Sequence, residues 1–279
     1  MPRESPDVGN IEKDAKSKTM TPKQRITTIV KWIKGYARSA KIDTLVVGVS
    51  GGIDSAVVST LCAWTGLNVH AVSMPIRQSA KTHSLSMAHG AWMVERFSNN
   101  VLHKTIDLTP AFKQFEKATQ DGVYNELAYA NSRARLRMMT LYQIAQSQRG
   151  IVVGTGNRVE DFGVGFFTKY GDGGVDISPI GNCMKTDVWA MGRELGLLQS
   201  IIDAPPTDGL WEDGRTDEDQ LGMTYPELEL AMRQDIYSDI GPPTDAREKK
   251  NLRRYREIRA TNLHKMLPIP VCNFDQSVL

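Results

Sequence analysis

Apolar positions recur along this chain with two different periods, and the alternation between them lays out a fold. After Thr21-Pro22, suited to an N-cap and first helical position, Ile26, Ile29, Val30, Ile33 and Ala37 repeat at helical spacing and predict an amphipathic helix. Residues 45–49 form a continuous apolar, β-branched run, which reads as a strand buried on both faces of a parallel sheet. From Asp54 onward Ala56, Val57, Val58, Leu61, Cys62 and Trp64 suit a helix again. A second strand is expected over 68–75, a helix over 79–97, a third strand over 101–106, helices over 110–118 and 125–146, and a fourth short strand over 150–154. Strands alternating with helices predict an α/β fold, a doubly wound, mostly parallel sheet flanked by helices. Ligands of such sheets lie beyond the carboxyl ends of the strands.

Composition narrows the possibilities. With 279 residues the chain can bury one good core, and residues 21–279 are expected to form a single domain behind a polar, disordered tail over 1–20. The net charge of +2 demands no nucleic acid, although acids dominate 208–235 and bases dominate 246–265. Cys62, Cys183 and Cys272 have no paired spacing, so neither a disulfide framework nor a zinc site is expected. With no apolar run long enough for a bilayer and no leader-like start, the expectation is a soluble, cytoplasmic protein.

The chemistry begins where the first strand ends. Ser50-Gly-Gly-Ile-Asp-Ser55 lets the backbone turn sharply and opens a helix, aiming free N–H groups and the positive helix end at one spot, a ready anion site. It matches neither the glycine–lysine phosphate loop nor the dinucleotide fingerprint. A plain strand-to-helix turn, with Asp54 serving only the helix dipole, is the alternative. After the fourth strand, Thr155 sits between glycines and Glu160 follows about a turn later; Asp54 and Glu160 together supply hard oxygen ligands for Mg²⁺. Residues 165–180 combine Gly171, Gly173 and Gly174 with Lys169, Asp172 and Asp176, a composition that fits a lid as well as a hairpin with an Asp-Gly turn.

Ser-Gly-Gly-x-Asp-Ser resembles the pyrophosphate loop of the ATP pyrophosphatases, and Phe-Thr-Lys-Tyr-Gly-Asp-Gly-Gly over 167–174 resembles the NAD synthetases specifically. The run 131–138, Asn-Ser-Arg-Ala-Arg-Leu-Arg-Met, and the acidic stretch 211–221 look like the same family, and the similarity spans about 24–274. It implies an adenine nucleotide alpha hydrolase-like fold and a two-step amidation of deamido-NAD by ATP and ammonia through an acyl adenylate. On that resemblance Gly48, Val49, Ser50, Gly51, Gly52, Ile53, Asp54 and Ser55 cradle the pyrophosphate of ATP, with Thr155, Lys185 and Thr207 as further ATP contacts. Asn131, Arg135, Lys169, Asp176, His264 and Lys265 are the implied contacts of deamido-NAD. Asp54 and Glu160 hold Mg²⁺, Lys169 and Lys185 offset developing charge, and Asp172 binds or deprotonates ammonium. The resemblance also implies a homodimer. No room exists for the extra amidase domain of glutamine-using members, so free ammonia is the expected donor. Between Glu160 and Phe166 the chain is one residue longer than the compact bacterial pattern. Two competing readings are a pyrophosphatase that adenylates tRNA or a purine, and a nucleotide-binding sensor without chemistry.

Overall fold

A computed structural model describes residues 20–120, 125–207, 216–236 and 240–272. The predicted tail thus lies outside the described residues apart from Met20, as does much of the acidic stretch after residue 207. The elements run α1 (Pro22–Ala40), β1 (Thr44–Gly48), α2 (Ile53–Trp64), β2 (Asn68–Ser73), α3 (Ala80–Arg96), β3 (Val101–Thr105), α4 (Thr109–Ala118), α5 (Glu126–Ser147) and β4 (Ile151–Val152). A π-helical turn (Arg158–Val164) follows, then α6 (Lys185–Glu194), α7 (Gln199–Ile202), α8 (Asp217–Leu221), α9 (Tyr225–Ile236) and α10 (Ala246–Met266).

Each early element forms where the apolar pattern places it. Thr21 caps α1 in a full capping box with Gln24, and Ile26, Ile29, Ile33 and Ala37 are its buried face. The sheet is parallel in order β3-β2-β1-β4, with Leu45 opposite Val69 on one side and Ile151 on the other. Chain progression therefore reverses at β1, and the crevice between the carboxyl ends of β1 and β4 is the switch point where such folds bind ligands. One core fills the face covered by α1, α2 and α6, including Ile33, Leu45, Val57, Leu61 and Met191. Another fills the opposite face, where Val46, Val72, Phe112 and Ala145 meet α4 and α5. A third, smaller cluster joins the π-helical turn to α9 and α10 through Val159, Val164, Tyr225, Met232 and Tyr255.

Two expectations need correction. The fourth strand is only Ile151–Val152, and the chain from 176 runs along its outer edge: the Asp176 N–H donates to the Val152 carbonyl at 3.0 Å and the Gly154 N–H to the Ile177 carbonyl at 2.8 Å. Residues 165–180 accordingly form no hairpin; Val153 and Ile177 pair in parallel. The segment after Asn157 is a π-helical turn, in which the Gly165 N–H reaches back to the Glu160 carbonyl. A π-turn closes over one more residue than an α-turn.

Candidate active site

β1 delivers the chain to the switch point at Gly48, and the next peptides turn over the first turns of α3. Gly51 has φ +93°, and a Cβ there would lie 2.7 Å from the Thr82 carbonyl oxygen and 2.9 Å from the Ser86 nitrogen, so only glycine fits. Gly52 is the N-cap of α2 and offers no side chain to its first-turn N–H groups. Those donors and the helix dipole remain directed at the crevice. Ser55 steadies the loop from inside: its Oγ accepts the Ser50 N–H at 3.2 Å and donates to the Gly52 carbonyl at 3.0 Å.

Under the loop lies a largely buried charge cluster assembled from five elements: α2, the π-helical turn, α6, α8 and α9. Lys185, at the start of α6 and 2% exposed, donates from Nζ to Asp54 Oδ2 at 2.5 Å and Glu160 Oε1 at 2.9 Å. Asn157, fully buried, donates to Asp54 Oδ1 at 3.1 Å and accepts the Glu160 N–H at 3.2 Å, tying the loop of β1 to the loop of β4. Tyr225 of α9 donates its hydroxyl to Glu160 Oε1, lies 3.3 Å from Asp217 Oδ2 and sets its ring 4.7 Å from Lys185 Nζ.

The electrostatics follow from this packing. Burial pushes the Asp54 carboxyl above its ordinary range, and the Lys185 charge offsets that only in part. Burial acts on Glu160 too, but Lys185 and the Tyr225 hydroxyl outweigh it and hold Glu160 below the usual value. Lys185 stays firmly protonated: burial opposes its charge, and the two carboxylates more than compensate. Asp161 is pushed well up by burial and by Asp172, Glu160 and Asp54 around it. A Cβ on Gly156 would land 1.8 Å from Asp161 Oδ2, so the glycine leaves room for this acid.

Beside the loop opens a cavity of about 480 Å³ whose lining includes Ser50, Asn131, Arg137, Thr155, Asp172 and Lys265. Gly48, Val49, Ser55 and Thr207 also reach it, so these sequence-predicted residues are brought together, with Asp54, Glu160 and Lys185 directly beneath the loop. Arg135, Lys169, Asp176 and His264 do not line it. Lys169 Nζ donates to the His264 carbonyl at 3.0 Å, and Arg135 Nε reaches the Lys169 carbonyl at 3.3 Å. Asp176 accepts from the Val152 N–H at 2.8 Å and the Tyr142 hydroxyl at 3.1 Å. Gly51, Gly52 and Ile53 shape the turn, with Ile53 in the core.

Residues 165–177 are stacked turns pinned on both sides. Thr168 donates from Oγ1 to Asn131 Oδ1 at 2.5 Å, its N–H donates to Asp172 Oδ1 at 2.9 Å, and Lys265 Nζ donates to the Phe167 carbonyl at 2.8 Å. The glycines read as sources of mobility are places of close packing: a Cβ on Gly173 would fall 2.4 Å from the Phe167 ring. Sequence reasoning passed over Asn157, Tyr225, Asp217, Asp161 and Arg137. Asn157 lies in the Gly-Thr-Gly-Asn turn after β4, Arg137 in the 131–138 run and Asp217 in the acidic stretch 211–221, whereas nothing local marks Tyr225 or Asp161.

Taken with the switch-point location, the open helix start and adjoining cavity define an α/β protein with a ready anion site at the carboxyl ends of its strands, beside a lysine-bridged pair of carboxylates. Comparison with known proteins makes the assignment specific: residues 25–267 match the family model for NAD synthase, and the chain belongs to the NAD synthase family, whose members are ligases of NAD biosynthesis. The NH(3)-dependent NAD(+) synthetase of Mesoplasma florum is 38% identical over 220 residues, covering 78% of this chain and 87% of that protein. Its counterpart from Sulfolobus acidocaldarius is 36% identical over 251 residues, covering 86% and 85%. Among solved structures, an NMN synthetase from Francisella tularensis superposes with a TM-score of 0.81 at 33% identity, over 91% of this chain and all of that one.

Proposed function

We propose that the protein amidates deamido-NAD with ammonia at the expense of ATP, releasing NAD, AMP and pyrophosphate. The observation that carries this reading is the convergence of the capless start of α2, the Asp54–Lys185–Glu160 cluster and the Asp172-lined cavity at one strand switch point. The nicotinate carboxylate attacks the α phosphorus of ATP, the bond to the β-phosphate oxygen breaks, and an acyl adenylate remains. Ammonia then attacks the acyl carbon and AMP leaves with the former carboxylate oxygen. Gly48 to Ser55 hold the departing pyrophosphate, with Thr155 and Thr207 beside the nucleotide. Lys185 and Lys169 offset negative charge as it builds, where fixed cations in a dry site act most strongly.

The donor set fits Mg²⁺. Asp54 and Glu160 already converge on one cationic atom, and Mg²⁺ needs only one or two carboxylates when phosphates and water complete its shell. When bound there, the ion would neutralise phosphate charge. Asn131, Arg135, Asp176, His264 and Lys265 are proposed to hold the dinucleotide, and Asp172 to bind ammonium or take its proton. The test is an end-point assay with ATP, deamido-NAD and ammonium that separates AMP from ADP; AMP and NAD in equal amounts support the reading, and ADP overturns it.

The match to an NMN synthetase supports a second reading, in which the acid is nicotinate mononucleotide. Both acids present the same carboxylate, so the cluster serves either, and kcat/KM for the two acids side by side decides. We further propose a cytoplasmic homodimer that uses no nucleic acid or membrane. Met139 of α5, 59% exposed, would lie in the apolar contact with a second copy. Light scattering after size-exclusion should give twice the 31.0 kDa chain mass, and Met139→Glu should return it to one.

A further inference from the structure

Behind the phosphate loop, on the side away from the cavity, a chain of buried polar side chains runs to the edge of the sheet. Ser86 of α3 donates from Oγ to the Val49 carbonyl at 2.9 Å. Its Oγ is 2.6 Å from Ser73 Oγ at the end of β2, and Ser73 Oγ is 2.8 Å from His103 Nε2 on β3. Ser73 and Ser86 are 1% and 2% exposed, closed off from bulk solvent. A hydroxyl has one proton. Ser86 spends its proton on Val49, so Ser73 must donate to Ser86, and His103 must donate from Nε2 to Ser73. The direction of the whole relay is thereby fixed. Gly90 is its floor: a Cβ there would fall 2.2 Å from the His103 ring.

The far end of the relay acts on a single peptide unit. The carbonyl of the Val49–Ser50 peptide is held by Ser86 from α3, while its N–H is held by Ser55 from α2 at 3.2 Å. The plane of that peptide is therefore clamped from both sides, immediately before the chain turns at Gly51. We propose that Ser86, oriented by Ser73 and His103, is a positioning residue for ATP: it fixes the peptide from which the pyrophosphate loop springs. None of the three side chains is needed to touch the nucleotide.

This rests on ATP being the ligand of the loop, so the test reads nucleotide binding apart from amidation. Binding of a non-hydrolysable ATP analogue with Mg²⁺ is measured by calorimetry, together with KM for ATP and for the acid. Loss of one buried hydrogen bond predicts that Ser86→Ala weakens analogue binding and raises KM for ATP by about five- to tenfold. The kcat at saturating ATP and the KM for the acid stay within twofold. His103→Gln, which keeps a donor at the Nε2 position, binds the analogue like the wild type, whereas His103→Leu reproduces the Ser86→Ala loss. Because His103 is only half-buried, this pair reports even if Ser86→Ala fails to fold. Ser59→Ala is the control: Ser59 makes a similar 2.9 Å contact with His89, but its backbone acceptor is Ala56 inside α2, so melting should fall without change in ATP affinity. Unchanged ATP affinity in Ser86→Ala and His103→Leu, with only a lower melting temperature, overturns the proposal. A wild-type protein that binds no ATP analogue refutes the functional reading instead.

Discussion

Lys185 shows how much of the site is settled by single side chains. Buried between Asp54 and Glu160, it is the cation that makes two adjacent carboxylates tolerable out of water. Lys185→Met should lower turnover by on the order of a hundredfold, the usual cost of losing one charge-stabilising contact. Because the same substitution frees both carboxylates, Mn²⁺ binding without nucleotide, followed by electron paramagnetic resonance, should tighten relative to the wild type; weaker binding would contradict the arrangement. Tyr225→Phe removes a donor that helps hold Glu160 below its ordinary pKa. The site needs Glu160 ionised, so the acid limb of the pH–rate profile should move to higher pH. An unshifted limb would show that the Tyr225 hydroxyl does not set it. His89 governs stability by the same logic. Burial lowers its pKa to about 4 from 6.5, so between those values the unfolded chain binds the extra proton and the fold loses stability as pH falls. His89→Gln should flatten that decline, worth on the order of 3 kcal/mol at most, in denaturant titrations at pH 7 and pH 4.5.

Helices and strands were the most legible part of the chain. The α1 capping box, the buried run of β1 and the start of α2 follow from local periodicity and turn chemistry, so they form within a residue or two of their expected bounds. The exceptions have long-range causes. β4 gains residues 176–177 along its outer edge from far along the chain, and the π-helical turn is capped by Asn157 at its start and held at its end by Gly165 and by Asn262 of α10. Asn157 and Tyr225 reach the site from loops and helices remote in sequence, and no spacing rule connects position 225 with position 160. Among the alternate arginines of α5, helical phase decides: Arg133 is buried near Phe112, Arg137 reaches the cavity, and Arg135 stays exposed, bonded to the Lys169 carbonyl. At this scale Gly51→Ala is the sharp test of the loop. Its positive φ and the contact with Thr82 predict at least a tenfold loss of ATP affinity with little change in far-ultraviolet circular dichroism. Retained affinity would mean the turn has other conformations open to it.

For the molecule as a whole, the sheet order places every argument about function in one crevice. Reversal of chain progression at β1 brings the loop after β1, the turn after β4 and the start of α6 within hydrogen-bonding distance of each other. The chemistry proposed there is the transfer of an adenylyl group to a carboxylate, and an oxygen label follows that bond directly. Deamido-NAD carrying ¹⁸O in its carboxylate, turned over with ATP and ammonium, should place one labelled oxygen in AMP and none in pyrophosphate. Label found in inorganic phosphate, with ADP as the nucleotide product, would contradict the account.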